Sequence, residues 1–315
     1  MYFNQGSRYL SLLGLCKENI KSVESIQSMV KNFKILEPLG KPNCIFFSSP
    51  HSGSNYFDWF LDQTSLDMHS IRSSEDAFVG DIFEAAPFFG SYLMESLIPR
   101  AILDLNRSRN DLDPRLIANF ESKNINSRVA SGLGVIPRVV GNGQNIYTKK
   151  LTLSEVQYRI DNYYNPYHQR LSSLLRSLKE TFGCAVLIDC HSMPSEALKY
   201  KKNKFQKLPD IILGDRFGMS CDARIVNFLE AAFEDEGFSV SRNIPFSGGY
   251  ITQLYGRPAK NIHSVQIEIS RALYMDERQI DKNQNFKPFC ESMKNVIFKI
   301  TQMEKHFNNL EVAAE

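Results

Sequence analysis

Two short apolar runs constrain this chain more than any other feature: Asn43 to Ser49 and Cys184 to Asp189, each breaking into a polar turn that carries a histidine, His51 and His191. Apolar runs of this length between turn residues read as buried strands. Three more runs of the same kind follow at Ile211 to Leu213, Phe238 to Val240 and Val265 to Ile269, and Ala101 to Leu105 and Gly134 to Val140 also read as strands. Helical periods lie between them. Thr152 and Glu155 form a capping box, Leu171, Leu174, Leu175, Leu178 and Phe182 make an apolar stripe, and Gly183 stops it. Val79, Ile82, Phe83 and Ala86 stand at helical spacing behind Ser73 to Asp76, which offer cap hydroxyls and first-turn acids. Asp222 to Glu236 and Lys287 to His306 also read as helices. Strands alternating with helices imply an α/β layered fold around a mixed, mainly parallel sheet. One domain spans residues 1–315, and residues 1–40 carry no element assignment.

Charge and composition exclude several functions. A net charge of +2 supplies no field for a polyanion, which argues against nucleic acid as a partner. No window approaches 18 uninterrupted apolar residues, so no membrane span is expected. The six cysteines form no C-x-x-C pair, which disfavours a thiolate zinc cage and suggests free thiols in a reducing compartment. No basic segment followed by an apolar stretch opens the chain, so a cytoplasmic location is expected. The Lys-rich stretch from Lys199 to Lys207 reads as a solvated loop, and nothing in the sequence sets an oligomeric state.

In open α/β sheets ligand sites gather beyond the strand carboxyl ends. His51 and His191 both fall there, and catalytic zinc commonly takes two histidines and a carboxylate. Glu75 and Asp76 are candidates for the carboxylate. The bland alternative, two hydrogen-bonded loop histidines, stands beside this one. Glu268 lies mid-strand, on the polar face with Gln266 and Ser270, opposite Val265, Ile267 and Ile269. A buried carboxylate there needs a partner, which a water awaiting deprotonation provides. An edge strand with a wet face is its alternative. Asn106 and Arg107 follow an expected strand, where the arginine fork matches a carboxylate. Arg138 and Arg271 are weaker candidates for the same task. The loop from Ser247 to Tyr250 reads as a lid that brings Tyr250 or Thr252 to a substrate.

Several stretches together resemble the N-formylglutamate amidohydrolases: Ser49-Pro-His-Ser-Gly53, Glu75-Asp-Ala-Phe-Val79, Pro99 to Arg107, Gly132 to Arg138, Asn165-Pro-Tyr-His168, Leu187 to Ser192, Ser247 to Thr252 and Gln266 to Tyr274. The resemblance implies a three-layer sandwich similar to zinc carboxypeptidases. It implies a zinc ion held by His51, Asp76 and His191, with Glu268 handling protons. Asn106 and Arg107 would hold a substrate carboxylate, Arg100 or Arg107 the oxyanion, and His168 and Tyr250 would be further contacts. The implied substrate is a small acidic acyl amino acid, N-formyl-L-glutamate, cleaved to formate and L-glutamate. Deacylation of another acyl amino acid or peptide, and metal or small-acid binding without turnover, remain as alternatives. Gly80 stands where the family often has an acidic residue, and Asp81 comes one position later.

Overall fold

The computed structural model describes residues 32–122, 125–199 and 208–303. Seven strands form the main sheet: β1 (Phe33–Leu36), β2 (Ile45–Ser49), β3 (Tyr92–Ser96), β4 (Ala185–Met193), β5 (Ile211–Gly214), β6 (Val240–Arg242) and β7 (Ile262–Ser270). Their order is β1-β3-β2-β4-β7-β5-β6. β3, β2, β4 and β7 run parallel, as do β5 and β6, while β1 and β5 join β3 and β7 antiparallel. The expected mixed, mainly parallel sheet is present. β7 lies between β4 and β5, so Glu268 is not on an edge strand.

Alternation along the strands builds two separate cores. Ile45 and Phe47 of β2, with Val186, Ile188 and Cys190 of β4, face the helices Ala223–Glu234 and Phe286–Thr301. Phe46, Ala185 and Leu187 face the opposite way, onto the helix Asn165–Phe182 through Leu171, Leu174, Leu175 and Leu178. The result is a helix–sheet–helix sandwich. The capping box forms as expected, with the Glu155 amide donating to Thr152 Oγ1 at 3.2 Å and the Thr152 amide donating to Glu155 at 2.7 Å. The helix it opens passes through a π-turn at Ile160–Tyr164 before continuing to Phe182, and Gly183 ends it at φ 75°.

Some expectations fail. Ala101 to Leu105 and Gly134 to Val140 are not strands but buried irregular loops, and the strand β3 lies just before the first of them. Both runs are apolar because they pack over the sheet, and burial alone mimics a strand signature. The helix beginning at Val79 is a single turn, Val79–Ile82, with Phe78 and not Ser73 or Ser74 at its N-cap position and no side-chain cap; Ala86 opens a separate 3-10 turn. β6 starts at Val240, two residues late. Residues 200–207 of the Lys-rich stretch and 304–306 of the last helix lie outside the described residues. Among the described residues no helix is long and apolar enough to cross a membrane.

Candidate functional site

One face of the sheet turns from apolar to polar toward its carboxyl ends. On β4, Ala185 and Leu187 give way to Asp189 and His191; on β7, Gln266 and Glu268 stand in register beside them. His51 follows the end of β2, the next strand over. Its ring centroid lies 4.8 Å from that of His191. Asp76 enters from the loop before Val79, its amide donating to the His51 carbonyl at 3.0 Å. His51, Asp76 and His191 are all buried, and their nearest ligand-type atoms fall within 4.8 Å of one another.

The hydrogen bonds define which atoms face inward. His51 presents Nε2 to Asp104 Oδ1 at 2.8 Å, and His191 presents Nε2 to Asp189 Oδ2 at 3.0 Å. Both imidazoles therefore turn Nδ1 toward Asp76 Oδ2, at 3.4 Å for His51 and 2.9 Å for His191. His51 Nδ1 is a buried atom with no hydrogen-bond partner. A histidine whose far nitrogen donates to a carboxylate while its near nitrogen stays bare, as in His51, is the arrangement of a metal ligand; in His191 the near nitrogen hydrogen-bonds Asp76 at 2.9 Å. Two imidazole nitrogens and one carboxylate oxygen also match the donor set of a catalytic zinc ion, so these residues fit a divalent metal.

Arg271 holds Asp76 from the other side, donating from Nη2 to Oδ1 at 3.0 Å and to the Glu75 carbonyl at 2.6 Å, and from Nε to Ser192 Oγ at 3.1 Å. Burial opposes ionisation of Asp76, but the hydrogen bond from His191 and the adjacent His51 ring outweigh it and hold its pKa well below the usual carboxylate range. His191 is the converse case. Burial lowers it, and Asp189 and Asp76 raise it well above the ordinary value. Glu268 is 8% exposed and accepts from Gln266 Nε2 at 2.6 Å; burial pushes its pKa up to about 7.

The other two acidic candidates are engaged elsewhere. Glu75 accepts from the Tyr56 hydroxyl at 2.7 Å and pairs with Arg72, and Asp81 is exposed and paired with Lys282. At Gly80 a Cβ would stand 2.2 Å from the Glu95 carboxyl carbon, the end of a side chain that would have to turn aside.

A cavity of about 610 Å³ opens over the cluster, and His51, Asp76, His191, Glu268, Arg100 and Arg107 all reach it. Arg100 donates to Asp104 Oδ2 at 3.0 Å. Arg107 is buried, with Nε donating to the Leu133 carbonyl and Nη1 to the Asn106 carbonyl. Asn106 lines the cavity but spends its amide inside the protein. Its Oδ1 accepts from the Ile251 amide at 2.7 Å, and its Nδ2 lies 3.1 Å from His191 Nε2. Gly249 must be glycine for this packing, because a Cβ would fall 2.4 Å from that Nδ2.

Four sequence candidates lie off the cavity wall. His168 is clamped between Tyr255 and the Leu105 carbonyl, Tyr250 packs on the second core, and Thr252 caps locally on the Gly249 carbonyl. Arg138 is paired with Asp113 at 2.9 Å. The segment from Gly249 to Tyr250 is the start of a helix, Tyr250–Tyr255, pinned by Asn106. Sequence reasoning passed over Asp104, Asp189, Gln266 and Arg128. Asp189 was accessible, since Asp-x-His on a strand puts both side chains on one face.

Fold and site together define a class: an α/β sandwich whose parallel strands end in a buried histidine–aspartate cluster, suited to a divalent metal and open to an arginine-lined cavity. The family model for N-formylglutamate amidohydrolase matches residues 44–275, and the chain belongs to that family. It is 31% identical to the N-formylglutamate deformylase of Pseudomonas putida over 238 residues, covering 75% of this chain and 83% of that protein. The corresponding deformylase of Pseudomonas aeruginosa is 29% identical, with 74% and 83% covered. The crystal structure of N-formylglutamate amidohydrolase from Ralstonia eutropha JMP134 superposes with a TM-score of 0.82 at 32% identity, covering 88% of this chain and 99% of that one.

Proposed function

We propose that this protein hydrolyses N-formyl-L-glutamate to formate and L-glutamate with a zinc ion held by His51, Asp76 and His191. The observation that carries the reading is the inward-facing Nδ1 pair with its aspartate, placed one strand from Glu268. Family membership and the two deformylase relatives support the same substrate. The ion supplies Lewis acidity, which lowers the pKa of water toward about 7 and polarises a carbonyl.

The chain's own residues do the rest. Glu268 takes the proton from the attacking water and passes it to the departing nitrogen. Gln266 holds that carboxylate in place through its 2.6 Å hydrogen bond. Asp104 and Asp189 engage Nε2 of the two imidazoles and so aim both Nδ1 atoms at Asp76. Arg100 and Arg107 reach the cavity beside Asp104 and supply donors for the oxyanion and for the carboxylate nearest the scissile amide. The substrate is then oriented before reaction, which accounts for much of the barrier reduction.

The test combines metal analysis with two variants. Wild type is expected to hold one zinc per chain, and His191→Ala to lose it. Glu268→Gln is expected to keep the metal while kcat falls by about a hundredfold to ten-thousandfold. Undiminished zinc in His191→Ala, or undiminished turnover in Glu268→Gln, refutes the assignment.

A further inference from the structure

The cavity wall carries one more arginine than the chemistry above uses. Arg128, in the short helix Ser127–Ala130, is exposed and lines the cavity, and no described residue forms an ion pair or side-chain hydrogen bond with its guanidinium. Its main chain is held by its neighbours. The Leu133 amide donates to the Arg128 carbonyl at 2.8 Å, and the Leu133 carbonyl accepts from Arg107 Nε at 3.0 Å. One residue thus ties both arginines to a single stretch of wall. Asn126 secures the segment further, accepting from the Val129 amide and donating to Asp111 Oδ1 at 2.9 Å. That donation, with another to Asp111 Oδ2 from the Ser108 amide, engages both carboxylate oxygens of Asp111.

We infer that Arg128, next along the wall from Arg107, forms an anion subsite that reads the side-chain carboxylate of the substrate. This rests on the hydrolase reading above and adds to it. The ordering along the wall supports it. Starting from the metal-ligand cluster, His51 meets Asp104, Asp104 meets Arg100 at 3.0 Å and Arg107 at 3.8 Å, and Arg107 leads through Leu133 to Arg128. A main-chain carboxylate sits two bonds from the scissile nitrogen, so it falls to the inner arginines. The side-chain carboxylate of glutamate stands two methylenes further out, where Arg128 waits. Charge points the same way. Four arginines line the cavity against three carboxylates, Asp76, Asp104 and Glu268, so with a divalent cation the site has an excess of positive charge to match a dicarboxylate. Arg138, the sequence candidate for such a role, is already neutralised by Asp113.

The experiment compares N-formyl-L-glutamate with N-formyl-L-glutamine, which has the same shape and no side-chain charge. For Arg128→Gln, kcat/KM on the glutamate substrate is expected to fall about tenfold to a hundredfold, through KM and not kcat, and the preference for glutamate over glutamine to shrink by the same factor. Arg128→Lys keeps the charge and should recover part of that preference, and high salt should narrow the gap. The same discrimination read by calorimetric binding in the Glu268→Gln background needs no turnover, which separates this inference from the catalytic assignment. Equal losses on both substrates, or an unchanged preference in both assays, overturn it.

Discussion

His168 gives this protein a pH-dependent stability of defined sign and size. The ring is 8% exposed, its Nε2 donates to the Leu105 carbonyl at 3.0 Å, and its Nδ1 faces the Tyr255 hydroxyl at 2.9 Å. Burial pushes its pKa down from 6.5 to about 4. The unfolded chain therefore takes up a proton near pH 6.5, while the folded chain resists until about pH 4. Above 6.5 the ring is neutral in both states and contributes nothing. As pH falls through the window from 6.5 to 4 the unfolded state holds more protons, so stability is lost, and below 4 the loss is complete. A gap of about 2.5 at roughly 1.36 kcal/mol per pH unit amounts to about 3 kcal/mol, a large part of a typical folding free energy. His168→Gln keeps an N–H for Leu105 and an oxygen for Tyr255 but does not titrate. Urea unfolding of both proteins across that window isolates the ring, because other groups cancel in the difference. The variant is expected to lose about 3 kcal/mol less than wild type on acidification. Parallel stability–pH curves would show that His168 is not held neutral by the fold.

Two further outcomes are expected. Asp104→Asn and Asp189→Asn each replace the anionic acceptor beside one imidazole with a neutral amide that can also turn a donor toward it, so zinc affinity measured by chelator competition should drop about tenfold to a hundredfold while the fold persists; unchanged affinity in both refutes the alignment. Gly53→Ala places a Cβ 2.3 Å from the Ile98 carbonyl oxygen, a backbone atom that cannot swing aside, and should cost about 3 kcal/mol or more. Gly40→Ala meets nothing within 4 Å, so a thermal melt should show it near wild type and Gly53→Ala well below.

What could be read from the sequence follows a physical division between sheet and loop. A strand has a period of two, so polar residues interrupting one face announce themselves. That is why His191 and Glu268 were legible, and why they emerge in register on adjacent strands. His51 was legible because it directly follows the apolar run of β2. The loops carry no period. Ala101 to Leu105 and Gly134 to Val140 are apolar because they are buried, and nothing local distinguishes that burial from a strand. The same ambiguity extends to the arginines. Arg128 and Arg138 lie ten positions apart, and only the folded path of the chain between them sends the first to the cavity and the second to Asp113. Asn106 shows a third case, in which the right residue reaches the right place for a different task. Its Oδ1 holds the start of the helix Tyr250–Tyr255 and its Nδ2 donates to Asp189 Oδ2 at 3.4 Å, so it shapes the site from within. The proposed metal-binding and proton-transfer groups come largely from strands and strand ends that the sheet holds rigidly, whereas the proposed specificity wall comes from loops stapled to one another by side-chain hydrogen bonds. Substitutions in those loops can therefore redirect substrate choice while leaving the cluster of His51, Asp76 and His191 in place.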